Sequence, residues 1–275
     1  MVSVDLLSIP ESILLGVVEG ITEFLPISST GHLLVVGDLI GFGTGSASTA
    51  ADTYSIAIQF GAILAVLFLY RNRIWSLLRG LVGADVEGRD GLIRLVVAFL
   101  PAALIGVVAG DALKSALFGP IPVTIAWLVG GVVLLRWRPA VGTLSFHQMP
   151  IRSAFIIGCA QSLALWPGVS RSLVTLIAAL ALGLSMAAAI EFSFLLGLIT
   201  LSAATALDLA KHGSELVDQF GLLAPFIGLL FAFVTAIIAV KWMIGYLSSH
   251  SLAIFGWYRI AVGVLSVVLL ATNVL

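Results

Sequence analysis

An all-α integral membrane fold of about ten helical segments is what this sequence predicts: six transmembrane spans plus two re-entrant helix pairs, arranged as an inverted repeat. Three observations lead there. Of 275 residues, 60% are hydrophobic and only 10% charged, far from the usage of soluble globular chains. Several apolar runs are long enough to cross a bilayer. Two other apolar stretches are interrupted by proline and glycine at corresponding places. The single Cys159 excludes a disulfide framework and a cysteine-based metal site. The start, Met1 to Asp5, lacks a basic region, so the first hydrophobic segment is expected to be retained rather than cleaved.

In chain order, 7–42 is broken at Pro26 and Gly31 and reads as two short helices joined by a polar elbow. Full spans follow at about 54–70, 92–109 and 118–137. The second broken stretch, 151–183, is interrupted at Pro167 and Gly168, and spans at about 187–207, 222–242 and 252–273 complete the chain. A broken pair followed by three spans therefore occurs twice, within one membrane domain over 1–275 whose halves are 1–140 and 150–275. The elbows align: Gly16, Glu19, Pro26, Ser28 and Ser29 stand against Gly158, Gln161, Pro167 and Ser170. An odd number of true crossings per half inverts the second half. Non-helical backbone at membrane depth survives only where it is buried or lines a cavity, and matched breaks in two halves point to a midplane site.

Charge supports this topology. Arg71, Arg73, Arg79, Arg89, Arg94, Arg136, Arg138, Arg152 and Lys241 gather near loops 71–91 and 138–151 and a turn near 243–251, with Lys114 and Lys211 on the opposite side. The positive-inside rule places the first group in the cytoplasm. Both termini are then outside, the first elbow enters from outside and the second from the cytoplasm. The charged run 83–90 reads as a cytoplasmic loop.

Glu19 and Glu23 lie one helical turn apart on one face, with Gly16 and Gly20 on the same helix at a spacing that allows close helix packing. Two carboxylates at that depth are costly. They suit a paired site for a divalent cation or acid–base work, or else a structural pair satisfied by a basic partner. Ser28, Ser29, Thr30 and Gly31 open the returning helix, where hydroxyls commonly serve only as caps. His32 in the first turn adds a candidate base, acid or nucleophile.

At the second elbow Arg171 is flanked by Ser170, Ser172 and Thr175 and opens a helix. Free N–H groups and the helix dipole favour anions there, and the guanidinium adds a fork that fits phosphate. Alternatively, Arg171 merely neutralises Glu19 or Glu23. Were the elbows to meet, carboxylates, hydroxyls, histidine and arginine would form a diphosphate-handling pocket. Gln59 and Gln161 are candidates for its supporting shell. Glu191 and Arg259 read as a structural ion pair or helix-end residues, and His147, His212 and His250 as bystanders.

The runs from Glu19 to His32 and from Pro167 to Thr175, with the stretches 59–65 and 191–194 and Tyr258-Arg259-Ile260, resemble the undecaprenyl-diphosphate phosphatase (bacitracin-resistance) family over essentially the whole chain. The resemblance implies hydrolysis of undecaprenyl diphosphate to the monophosphate, recycling the carrier lipid for peptidoglycan and other envelope polymers. It implies a plasma-membrane pocket opening to the outer face and a divalent cation, Mg or Ca, held by Glu19 and Glu23. The family's catalytic positions map onto Glu19, Glu23, Ser29, His32 and Arg171. Ser28, Thr30, Ser170, Ser172 and Thr175 would join Arg171 in binding the diphosphate. Bacitracin would compete for the substrate, a homodimer is open, and no nucleic acid is expected. Leu173 departs from the glycine of many members and could narrow the elbow. The nucleophile is Ser29 with His32 as its base, His32 itself, or water; the Ser–His spacing leans to the first. A polyprenyl-phosphate transporter using the same midplane site is the alternative, since transporters share broken helices and inverted repeats. A non-catalytic lipid-binding protein is a third reading.

Overall fold

The computed structural model describes residues 7–42, 48–137 and 142–275. The reading of the N-terminal five residues and of Arg138 falls outside them. Eleven α-helices are present among the described residues, five of them long and apolar enough to cross a membrane. On α5, Val107 and Val108 are 80% and 78% exposed, which fits a lipid-facing surface rather than a watery one.

Helix α1 (Ile9–Thr22) starts at Ser8, whose side chain and that of Glu11 form a reciprocal capping box, with Pro10 in the first turn. Helix α2 (Ser29–Ile40) is the returning arm and ends at Gly41, whose φ of 70° is a left-handed turn that suits glycine. The spans α3 (Ser48–Leu69), α5 (Val86–Leu117) and α6 (Pro120–Arg136) complete the first half of the chain. Helix α6 has 17 residues, at the short limit for a crossing. The second broken pair is α7 (Ile151–Gln161), prolonged by a 3₁₀ turn over Ser162–Leu165, and α8 (Arg171–Ala181). The spans α9 (Met186–Phe220), α10 (Leu223–Leu247) and α11 (Ala253–Ala271) follow.

Three expectations need correction. Part of the loop expected at 71–91 is the helix α4 (Arg71–Leu81). Its arginines hid an amphipathic period in which Ile74, Leu77 and Leu81 recur at helical spacing. The charged run 83–90 is not a loop throughout, because α5 already begins at Val86. Asp85 caps that helix by accepting from the Gly88 N–H at 2.8 Å and from Ser76 Oγ at 2.7 Å. These bonds hold its carboxyl below the usual carboxylate range, the Gly88 N–H contributing most. Helices α5 and α9 also run past the expected spans, to 32 and 35 residues. Apolar runs mark the hydrocarbon thickness, whereas polar turns continue the same helix beyond it.

The elbows share one backbone geometry. Ser28 (φ 73°, ψ 103°) and Ser170 (φ 77°, ψ 111°) both sit in the left-handed half of backbone space. Each caps its returning helix by accepting from the N–H three residues on, Gly31 in one and Leu173 in the other. Two non-glycine residues in this region represent stored strain, of order 1–3 kcal/mol each. A short hydroxyl side chain that caps the helix partly offsets that cost.

Packing crosses between the halves. Helix α1 lies on α10, where Gly16 and Gly20 let the backbones approach so closely that a Cβ at either would strike Gly228 or Ala232 main chain. Helix α7 lies on α5 in the same manner, with Gly158 against the Ala98 carbonyl. Helices α3 and α9, and α6 and α11, pair across the molecule. Gly16→Leu should therefore separate α1 from α10 and destabilise the protein by about 1–3 kcal/mol or more. Thermal unfolding of the purified chain in detergent measures this; Gly110→Leu, where a Cβ meets open space, is the matched control.

Candidate active site

Glu23 ends α1 and is the node of the site. Its Oε1 accepts from Arg171 Nη2 at 2.9 Å. Its Oε2 accepts from Gln59 Nε2 at 3.2 Å and from Ser29 Oγ in a short bond. One carboxylate thus collects groups from α2, α3 and α8. The ion pair is secluded, with side chains 9% and 6% exposed. Arg171 also donates from Nη1 to the Ser193 carbonyl at 3.1 Å and lies 5.1 Å over the Phe24 ring, while its Nε has no partner. Gly197 makes room for the guanidinium, which a Cβ there would overlap. The resting state is thus the neutralising arrangement of Arg171 that the sequence allowed.

Glu19, one turn earlier, is fully buried and neither of its oxygens has a partner. It lines a cavity of about 530 Å³ together with Ser29, Thr30 and Gln59. Apolar wall residues include Leu33, Leu34, Ile56 and Leu165, and the other end is lined by Asp38, Asp52, Lys114 and Phe118. A buried carboxylate aimed into a cavity with both oxygens free fits a hard cation. No cluster of three metal-ligating side chains exists among the described residues. A cation here would draw one or two carboxylates from the protein and the rest from phosphate and water, which is the usual pattern for Mg²⁺.

His32 is placed differently from expectation. Its Nδ1 is 2.7 Å from the Ser28 carbonyl, which can only accept, so Nδ1 carries the proton. Its Nε2 then accepts from the Tyr258 hydroxyl at 2.8 Å. The ring also meets Trp127 edge-on at 4.9 Å. Neither nitrogen bonds Ser29, whose hydroxyl turns to Glu23, and His32 is absent from the cavity wall. The Ser29–His32 hydrogen bond anticipated from spacing is replaced by a Ser29–Glu23 bond. Residues 29 and 32 share a face of α2, but Tyr258 on α11 competes for the imidazole.

Of the other sequence candidates, Thr30 lines the cavity and Ser28 caps α2. Ser170, Ser172 and Thr175 form structural bonds: Ser170 to Ser172 at 3.0 Å, Ser172 to the Leu25 carbonyl at 2.8 Å, and Thr175 to Ser193 Oγ at 2.6 Å. Of these, the Ser172 bond ties the second elbow to the first, and Thr175 ties α8 to α9. Gln161 packs toward Thr200, with Nε2 unpaired, and lies off the cavity wall. Leu173 is buried in the apolar core, so its side chain does not narrow the cavity. Glu191 forms the expected structural pair, with Arg73 at 2.5 Å, and His147 joins it 2.8 Å from Arg73 Nη1.

Arg259 was undervalued by sequence reasoning. It is fully buried and makes no ion pair among the described residues. Its Nη2 donates to the Ala126 and Gly168 carbonyls, each at 2.8 Å, and Nη1 to the Pro26 carbonyl at 3.4 Å. Pro26 and Gly168 belong to the two elbows, so one guanidinium closes both. The signal was present: an arginine inside an apolar span with no acidic residue near it in sequence. Arg259→Met would leave the Pro26 and Gly168 elbow carbonyls short of a donor, at about 1–3 kcal/mol apiece. Unfolding in detergent should show a loss of stability exceeding that of Arg152→Met.

The sequence profile of the family described as bacitracin resistance protein BacA matches residues 12–265. An "Undecaprenyl-diphosphatase" of Sorangium cellulosum is 45% identical over 262 residues, covering 93% of this chain and 84% of the relative. "Undecaprenyl-diphosphatase 2" of Rhodospirillum rubrum is 44% identical, covering 98% of this chain and 96% of the relative. "Undecaprenyl-diphosphatase 1" of Chromobacterium violaceum is 44% identical, covering 92% and 93% respectively. With nearly its whole length matched, and with Glu19 and Ser29 on the cavity wall and the Glu23–Arg171 pair bonded beside them, the chain belongs to the BacA family.

Proposed function

We propose that this protein hydrolyses undecaprenyl diphosphate to undecaprenyl phosphate and phosphate, recycling the envelope carrier lipid and so conferring bacitracin resistance. The observation that carries the reading is the Glu23–Arg171–Ser29 assembly beside the unpaired carboxylate of Glu19, next to a cavity with largely apolar walls that Glu19 and Ser29 line. Family membership narrows the substrate class to the lipid named for the relatives.

In this reading Ser29 Oγ attacks the terminal phosphorus. The new O–P bond forms as the bridging P–O bond breaks, and the lipid monophosphate leaves. The Ser29 proton passes to Glu23, which already accepts that hydrogen bond. Arg171 shifts a share of its donors from Glu23 to the phosphoryl oxygens, and withdrawing that positive counter-charge from Glu23 makes the carboxylate a better base. Water then cleaves the phosphoserine. Glu19 and Glu23 are the residues that would hold a divalent cation, Mg or Ca, which would supply charge neutralisation on the phosphoryl group. His32, held by Ser28 and Tyr258, buttresses the elbow that presents Ser29. A phosphohistidine route through His32, or direct attack by water, is the competing chemistry.

The proposed setting is the inner membrane, with halves 1–140 and 150–275 related as an inverted repeat. The matched Ser28 and Ser170 geometry and the reciprocal packing of α1 on α10 and α7 on α5 support that relation. The cavity mouth, at Asp52 and Lys114, would open to the outer face, and both termini would lie outside. Bacitracin would compete for the lipid, and a homodimer is compatible with the exposed apolar spans.

Phosphate release from a polyprenyl diphosphate by the purified chain in detergent tests the activity. Transport of polyprenyl phosphate without release would overturn it. Arg171→Lys keeps the charge but loses the fork, and should lower kcat at least about 100-fold. Ser29→Ala should abolish a trapped phosphoenzyme; a phosphate label on His32 instead, or one that survives Ser29→Ala, would displace Ser29 as nucleophile. Chelation should remove activity and re-addition of Mg²⁺ or Ca²⁺ restore it; resistance to chelation would remove the metal role from Glu19 and Glu23.

A further inference from the structure

Lys114 is the sole cationic side chain on the cavity lining among the described residues. At rest it is engaged: its Nζ stands 2.7 Å from Asp52 Oδ2, joining the end of α5 to the start of α3, and it lies 5.6 Å over the Phe118 ring. Asp38, from α2, lines the same end. That mouth therefore holds two carboxylates against one ammonium, an unfavourable entrance for a polyanionic headgroup. The side chains of Lys114 and Asp52 are 54% and 32% exposed, and an ion pair this open is weak. It is a contact that an incoming phosphate can displace.

The cavity's length separates this mouth from the chemistry. Asp52 and Gln59 both line it and lie two turns apart on α3, about 10 Å of helix. Ser29 and Asp38 lie two and a half turns apart on α2, about 13 Å. The rise along both walls exceeds the reach of a lysine side chain alone. While Lys114 is bonded to Asp52, its ammonium is therefore held away from the Ser29 hydroxyl. Arg171, committed to Glu23, does not line the cavity. An anion moving inward meets Lys114 first and the floor residues second.

We propose that Lys114 captures the anionic headgroup of the lipid substrate at the cavity mouth, with Asp52 as the resting counter-ion that the headgroup displaces. The pair re-forms when the headgroup has moved to the floor. This rests on the diphosphatase reading and adds to it an entry station distinct from the catalytic groups. Charges at a rim act on encounter and on its salt dependence more than on the bound complex.

The test is steady-state phosphate release by the full chain in detergent, with a short-chain polyprenyl diphosphate at low and high ionic strength. Lys114→Gln should raise KM about five- to tenfold, with kcat within about twofold of wild type and a shallower salt dependence. Lys114→Arg should keep the wild-type KM. Asp52→Asn, which frees the lysine, should lower KM. Opposite movements by the two partners are the signature of capture. Equal rises in KM would overturn the proposal, because a purely structural pair, or an acid that draws in the substrate's cation, gives that result. An unchanged KM in Lys114→Gln would overturn it as well. Inorganic diphosphate binding, followed by thermal shift, separates this proposal from the activity itself. If wild type releases no phosphate, the diphosphatase reading fails; weaker binding of diphosphate by Lys114→Gln than by wild type still supports capture, and equal binding overturns it.

Discussion

The ion pair between Glu23 and Arg171 is the constraint on which the rest of the site depends. A carboxylate buried here has lost its water, and removing one partner of such a buried pair typically costs about 3–5 kcal/mol. Glu23 meets that demand with donors from three helices: Ser29 of α2, Gln59 of α3 and Arg171 of α8. Each donor comes from a different part of the chain, so satisfying one charge fixes the relative positions of both elbows. Gly197 follows from the same need, since the guanidinium requires the space a side chain would take. Glu19 is the exception: it occupies the same helix face yet is left without a partner.

A second demand is the main chain. Elbows at membrane depth expose carbonyls that lipid cannot satisfy. Here buried side chains from other helices supply the donors. Trp127 Nε1 donates to the Ile27 carbonyl at 2.8 Å, Ser172 to Leu25, and Arg259 to Pro26 and Gly168. Tyr258 and Arg259, adjacent on α11, reach different groups of this region, the imidazole of His32 and the elbow carbonyls. The last span is thereby part of the support of the first elbow, although it is over two hundred residues away in the chain.

What could be read from sequence follows from which physical terms are local. Apolar runs, the breaks at Pro26 and Pro167, and Glu19 with Glu23 on one helix face are local patterns, and a helix covers each segment those patterns predict, with α5 and α9 running past theirs. Helix α4 was hidden because its arginines masked the apolar period. The partners of polar groups were not legible, because they are decided by packing between distant segments. Ser29 and His32 are near neighbours in sequence, but Glu23 takes the hydroxyl and Tyr258 takes the ring. Arg259 looked like half of an ion pair because sequence shows charge, whereas backbone carbonyls, its actual partners, are the same at every position.

Each cation near the site has a resting partner: Arg171 has Glu23, Arg259 has three carbonyls, and Lys114 has Asp52. In the proposed cycle anion binding is therefore an exchange of partners, and its free energy is a difference between two satisfied states. An exchange of this kind discriminates by charge density. A diphosphate offers enough negative charge to draw Lys114 from an exposed carboxylate and then to share Arg171 with Glu23. A monophosphate bears less charge and competes less well with the same internal carboxylates. On that proposal the resting ion pairs favour entry of the diphosphate and release of the monophosphate. The burial that makes Glu23 costly without a partner is what gives that return to the resting state its driving force.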